Sequence, residues 1–205
     1  LKKANEVENK LLNIRNQICQ SFQKLEDEFS ANRKLQTKKF KKKIWKRNKK
    51  INEFGGGVSS VLKGNLFEKV GVNISTVSGI FPNDYKRQIR GADDDPRFFA
   101  TGISVVAHMR SPFIPAAHYN SRFIITKDAW FGGGCDLTPT FYENVIKKKF
   151  HTLLKDFCKQ YDQNFYQNYS KWCSEYFFLK HRNEERGIGG IFYDYLDANI
   201  KKNLN

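Results

Sequence analysis

The chain has 205 residues, 40% hydrophobic and 15% aromatic, enough for one sizeable core and too apolar for a disordered chain. No window approaches the ~20 consecutive apolar residues of a membrane-spanning helix, so no such span is expected. The net charge of +15 is mostly local, because the run from Arg33 to Lys50 holds eleven Lys/Arg and no acid, which argues against a chain that is basic throughout.

Val7, Leu11, Ile14, Ile18, Phe22, Leu25 and Phe29 recur at steps of three and four with charge between them. This spacing predicts an amphipathic helix over residues 5–29, in a first segment of residues 1–32. A Lys-rich segment, residues 33–54, follows with Phe40, Ile44, Trp45 and Ile51 as its apolar anchors. It reads as a solvated, flexible excursion, with nucleic-acid or anionic-membrane contact as the rival reading; no RNP, zinc-finger or helix-turn-helix signature accompanies it. Gly55-Gly56-Gly57 is a weak phosphate-cradle candidate, since no Lys-Ser/Thr pair follows and no strand clearly precedes it.

From Val58 to Leu137 the chain turns β-branched and aromatic, with Phe98 to His108 and Arg122 to Thr126 as predicted strands, and Pro112 and Pro115 between them. Phe141, Val145, Phe150, Leu153, Leu154, Phe157 and Tyr161 suit one helix, and Phe165, Tyr169, Trp172, Tyr176 and Leu179 a second, ended by Gly187 and Gly189-Gly190. Ile191 to Leu196 is a further strand candidate. Strands in the middle and helices on both sides point to α+β. The chain begins at Leu1 rather than Met and ends in Lys201-Lys202-Asn203-Leu204-Asn205 with little to close a sheet, so it is expected to be a piece of a longer precursor.

Cys19, Cys135, Cys158 and Cys173 lie far apart with no CxxC pair, which suits buried thiols in a reducing compartment. His108, His118, His151 and His181 sit beside polar or basic residues, yet no HxH, HxxxH or HExxH spacing is present. In Trp130 to Pro139, Gly132-Gly133-Gly134 are expected to deliver Asp136 at a turn. Asp136 reads either as a cap for the next helix or as a site carboxylate. Arg122, Arg182 and Arg186 suit a substrate rich in carboxylates, which a guanidinium fork binds bidentately; singly, each also reads as a surface charge.

Taken together, several ordered blocks resemble the oxygen-dependent coproporphyrinogen III oxidases. They are Gly55 to Leu62, Phe67 to Ser75, Gly102 to His108, Pro115 to Phe123, Trp130 to Pro139, Lys171-Trp172-Cys173 and His181 to Gly190. The resemblance covers nearly everything from Gly55 to Asp197 and, more loosely, the first helix, leaving Arg33 to Asn52 looking like an insertion. It implies a large, flat antiparallel sheet flanked by helices on both sides, with residues 55–205 as the N-terminal part of the catalytic domain and the C-terminal part truncated. It also implies a homodimer that turns two propionates of coproporphyrinogen III into vinyls, giving protoporphyrinogen IX. Dioxygen would be the acceptor, with no cofactor required, although some bacterial members have been assigned a divalent metal on histidines matching His108, His118, His151 and His181.

By the same resemblance Asp136 faces the pyrrole N–H groups and Arg122 clamps a propionate with Ser104 and Asn120. His118 is expected as the general acid/base because an imidazole can both take and give a proton, and Arg182 and Arg186 as further substrate arginines because their forks suit carboxylates. Alternatives are a non-catalytic tetrapyrrole-binding homologue, or a basic nucleic-acid-binding protein using residues 33–50. The cytoplasm is the expected compartment, with the mitochondrial intermembrane space or a plastid as alternatives.

Overall fold

Helix α1 runs from Lys2 to Asn32 in a computed structural model that describes residues 2–47 and 54–197. Its buried stripe starts as expected with Val7 and Leu11 but continues through Arg15, Cys19, Glu26 and Ser30, while Leu25 is left 48% exposed. The polar members are tolerated because each is bonded. Arg15 Nη2 donates to Ser60 Oγ. The Glu26 carboxylate accepts the backbone N–H groups of Asn65 and Leu66 at 2.5 and 3.0 Å.

The helix packs on a sheet that has seven strands among the described residues, each antiparallel to its neighbour in sequence. The strands are β1 (Lys41–Lys46), β2 (Phe54–Leu62), β3 (Phe67–Ile80), β4 (Arg97–Met109), β5 (Ala116–Ile125), β6 (Ala129–Thr138) and β7 (Gly190–Asp197). A four-residue helix, α2 (Asn83–Lys86), lies between β3 and β4, and α3 (Asn144–Lys159) and α4 (Phe165–Tyr176) lie between β6 and β7. The α+β class with a large antiparallel sheet and flanking helices is therefore observed. None of the helices among the described residues is long and apolar enough to cross a membrane.

Side chains alternate between the two faces of the sheet. One face carries Val70, Val72, Ile74, Ile103, Val105, Ala107 and Phe123 against α1, which builds the core. Helix α3 covers the β6–β7 end of that face, where an apolar cavity of about 360 Å³ separates Leu11 and Ile14 from Leu154 and Phe157. Helix α4 lies along β7, and its C-terminal end reaches the opposite face, where Tyr176 stacks on Phe192 at 4.1 Å.

Three expectations change. Part of the Lys-rich segment is no flexible excursion: Lys41–Lys46 form edge strand β1, in register with β2 from Lys41↔Val61 to Lys46↔Gly56. Exposed lysines suit a sheet edge, because they discourage pairing with another chain. Asp136 sits within β6, eight residues before α3 begins at Asn144, so it is neither at a turn nor a helix cap. Gly55-Gly56-Gly57 belong to β2 and form no phosphate cradle. Residues 48–53 and the Lys201–Asn205 end lie outside the described residues.

Candidate active site

Residues directly opposite each other in an antiparallel pair share a face. Register can therefore be read as rows running across the face that α1 leaves uncovered. One row is Ser59, Asn73, Ser104, Asn120 and Gly134. The next holds Trp45, Gly57, Ser75, Gly102, Arg122 and Gly132, and the row on the other side holds Val106, His118, Asp136 and Gly190. Alternation along β4 and β5 thus places Ser104, His118, Asn120 and Arg122 together, and the glycines keep the floor beneath them low.

The floor opens into a cleft of about 540 Å³ lined by Asn73, Ser104, Asn120 and Arg122, with Trp45 and Phe177 among its walls. One row further along is an ionic cluster. Asp136, 4% exposed, receives Nε and Nη2 of Arg186 on Oδ2 at 2.9 and 2.6 Å. Its Oδ1 lies 3.2 Å from His118 Nδ1, close enough for charge attraction but without hydrogen-bond alignment. Burial presses the Asp136 pKa upward, and the contacts from His118 and Arg186 outweigh it, so the carboxyl stays below its ordinary value. The Arg186 guanidinium is also stacked 3.6 Å over the Phe177 ring.

Arg122 is held differently. Its Nη2 donates to Asp194 Oδ2 at 2.7 Å, and Asp194 Oδ1 accepts Trp130 Nε1 at 3.2 Å and the Tyr195 N–H at 3.0 Å. Neighbouring thiols offer no nucleophile: burial pushes Cys135 up to about 12 and Cys173 up to about 11.

The other expected residues are not gathered here. Arg182 pairs with Glu184 at 2.7 Å and is 64% exposed. His108 is the nearest other histidine, its ring 6.1 Å from that of His118. His151 lies on α3 with both ring nitrogens engaged, Nδ1 with Tyr166 Oη at 2.9 Å and Nε2 with the Ile188 carbonyl at 2.7 Å. His181 lies in an exposed turn. Among the described residues no group of three His, Cys, Asp or Glu side chains is placed to hold a metal, so a four-histidine centre does not fit this arrangement.

Sequence reasoning missed Asp194, Phe177 and Trp45. An acid inside the apolar stretch Gly190–Asp197 was a usable signal for Asp194, since a charge within a strand demands a partner. Trp45 was hidden by the lysines around it.

Set against known proteins, the sequence matches the family described as Coproporphyrinogen III oxidase over residues 6–205. It is 51% identical over 185 residues to a protein of Rickettsia africae (strain ESF-5) named oxygen-dependent coproporphyrinogen-III oxidase, covering 90% of this chain and 65% of that protein. Proteins of the same name from Rickettsia akari (strain Hartford) and Rickettsia bellii (strain OSU 85-389) are 50% and 51% identical, over 93% and 91% of this chain. The chain spans 65% to 67% of the length of these relatives.

Proposed function

The chain belongs to the coproporphyrinogen III oxidase family, and from that premise we propose that it oxidatively decarboxylates two propionates of coproporphyrinogen III to vinyls, giving protoporphyrinogen IX, with dioxygen as electron acceptor. Each turn converts one propionic acid side chain and one dioxygen into a vinyl, carbon dioxide and hydrogen peroxide. The electron pair passes to dioxygen through the electron-rich ring, which is restored as the side chain's C–H and C–CO2 bonds break, so the protein's part is to hold carboxylates and move protons.

The single observation that carries this reading is the convergence on one open face of Arg122, Asn120 and Ser104 beside the His118–Asp136–Arg186 cluster. Arg122 offers a propionate the guanidinium donors that Asp194 leaves free, with Asn120 and Ser104 as neutral partners. Asp136, held anionic, suits acceptance of pyrrole N–H groups as positive charge develops on the ring. With Nδ1 of His118 turned towards Asp136, Nε2 is left to take a proton from the side chain and pass it to the peroxide that leaves as hydrogen peroxide. Arg186 stabilises the Asp136 charge through two hydrogen bonds to Oδ2.

The exposed apolar residues Val145, Leu153 and Phe157 of α3 suit burial against a second subunit, in keeping with a homodimer. Four free cysteines, three of them buried, suit a reducing compartment such as the cytoplasm.

The deciding experiment incubates the full chain with coproporphyrinogen III under air and under nitrogen and follows vinyl-containing product. Product under air alone is expected. Equal product under nitrogen, or none under either gas, overturns the reading.

A further inference from the structure

Arg122, whose reach decides how a propionate is held, is not free to choose its direction. A lone arginine on a sheet face samples many rotamers and meets an anion at many angles. Here one of its five N–H donors is committed to Asp194 Oδ2 at 2.7 Å, leaving the remaining donors for a ligand. Asp194 is itself immobilised on its other oxygen by the Trp130 indole N–H and the Tyr195 amide, at 3.2 and 3.0 Å.

The backbone is arranged for this contact. The β6–β7 register breaks between Phe131 and Gly133, and Tyr195 adopts φ +55, a left-handed conformation that costs a non-glycine residue energy. Between the two partners stands Gly132, where an added Cβ would lie 2.5 Å from Asp194 Oδ1 and 2.8 Å from Arg122 Nε. A side chain there would wedge the pair apart. Three separate features, the bulge, the left-handed residue and the missing Cβ, thus converge on one ion pair.

We propose that Asp194 is a positioning residue for the decarboxylation, holding the Arg122 guanidinium across Gly132 so that its unused donors face the cleft at one angle. The inference rests on the function proposed above. It has a distinctive signature, because Asp194 also neutralises Arg122. Removing its charge leaves an unpaired guanidinium that still attracts carboxylates but no longer holds them in register. Affinity is retained while turnover falls.

The test uses Asp194→Asn in the full chain, with coproporphyrin III, the stable oxidised form of the substrate, as the binding probe read by fluorescence. The expected result is a kcat about tenfold or more below wild type, with KM and coproporphyrin affinity unchanged or tighter within about threefold. Trp130→Phe, which keeps the ring but removes one donor to Asp194, should lower kcat about threefold in the same pattern and decides the matter should Asp194→Asn fail to fold. Wild-type kcat in both variants overturns the inference, as does loss of affinity in step with kcat. A wild-type protein that neither binds coproporphyrin nor forms vinyl product overturns the underlying function instead.

Discussion

A carboxylate with 4% of its surface exposed is costly unless a cation faces it, and Asp136 has the Arg186 guanidinium on Oδ2. Asp136→Ala and Arg122→Ala should each lower turnover by about a hundredfold or more, measured as vinyl product per minute. The pH dependence has a definite sign. Since the folded carboxyl titrates below its unfolded value of about 3.9, its contribution to stability is present above that value and is lost as pH falls through the lower folded one. Asp136→Asn should therefore flatten the fall in melting temperature below about pH 4 while changing it little in slope above that. Asp136 and Arg122 were readable from their motifs, but their partners were not. Arg186 meets Asp136 across 50 positions of chain and Asp194 meets Arg122 across 72, distances that no local pattern encodes.

Strand β1 and helix α1 show the two ways a sequence pattern misleads at the level of an element. In β1 the order Lys41-Lys42-Lys43-Ile44-Trp45-Lys46 masks a period of two, because lysines occupy both faces of an edge strand that needs only one partner. Alternate amides of residues 41–46 should exchange with solvent at least about tenfold more slowly than in an unstructured lysine-rich peptide, a hydrogen-exchange measurement that would return peptide-like rates if the strand were absent. Helix α1 was readable because most of its stripe is apolar. Its drift through Arg15 and Glu26 was not, since it depends on what the sheet and its turn present from below. Glu26→Ala would strand the amides of Asn65 and Leu66 beside α1, and urea unfolding should show a loss of about 2–4 kcal/mol.

Across the whole molecule the four histidines are dispersed: two on neighbouring strands of the open face, one on α3 and one in an exposed turn. Catalysis should persist after dialysis against a chelator, with turnover within about twofold of untreated protein, and restoration by manganese or iron of an activity lost to chelation would contradict this placement. The α+β class was readable from the clustering of strands and the antiparallel sheet was implied by the family resemblance, whereas the face carrying the chemistry emerged only once the register was known. The sequential order of the sheet has a consequence for how the protein is made. Because each strand bonds the one synthesised just before it, a nascent chain can add hairpins in the order in which they leave the ribosome. The exception is β7, which must wait for α3 and α4 to emerge, so the Asp194 anchor reaches Arg122 only after β1 to β6 have been made.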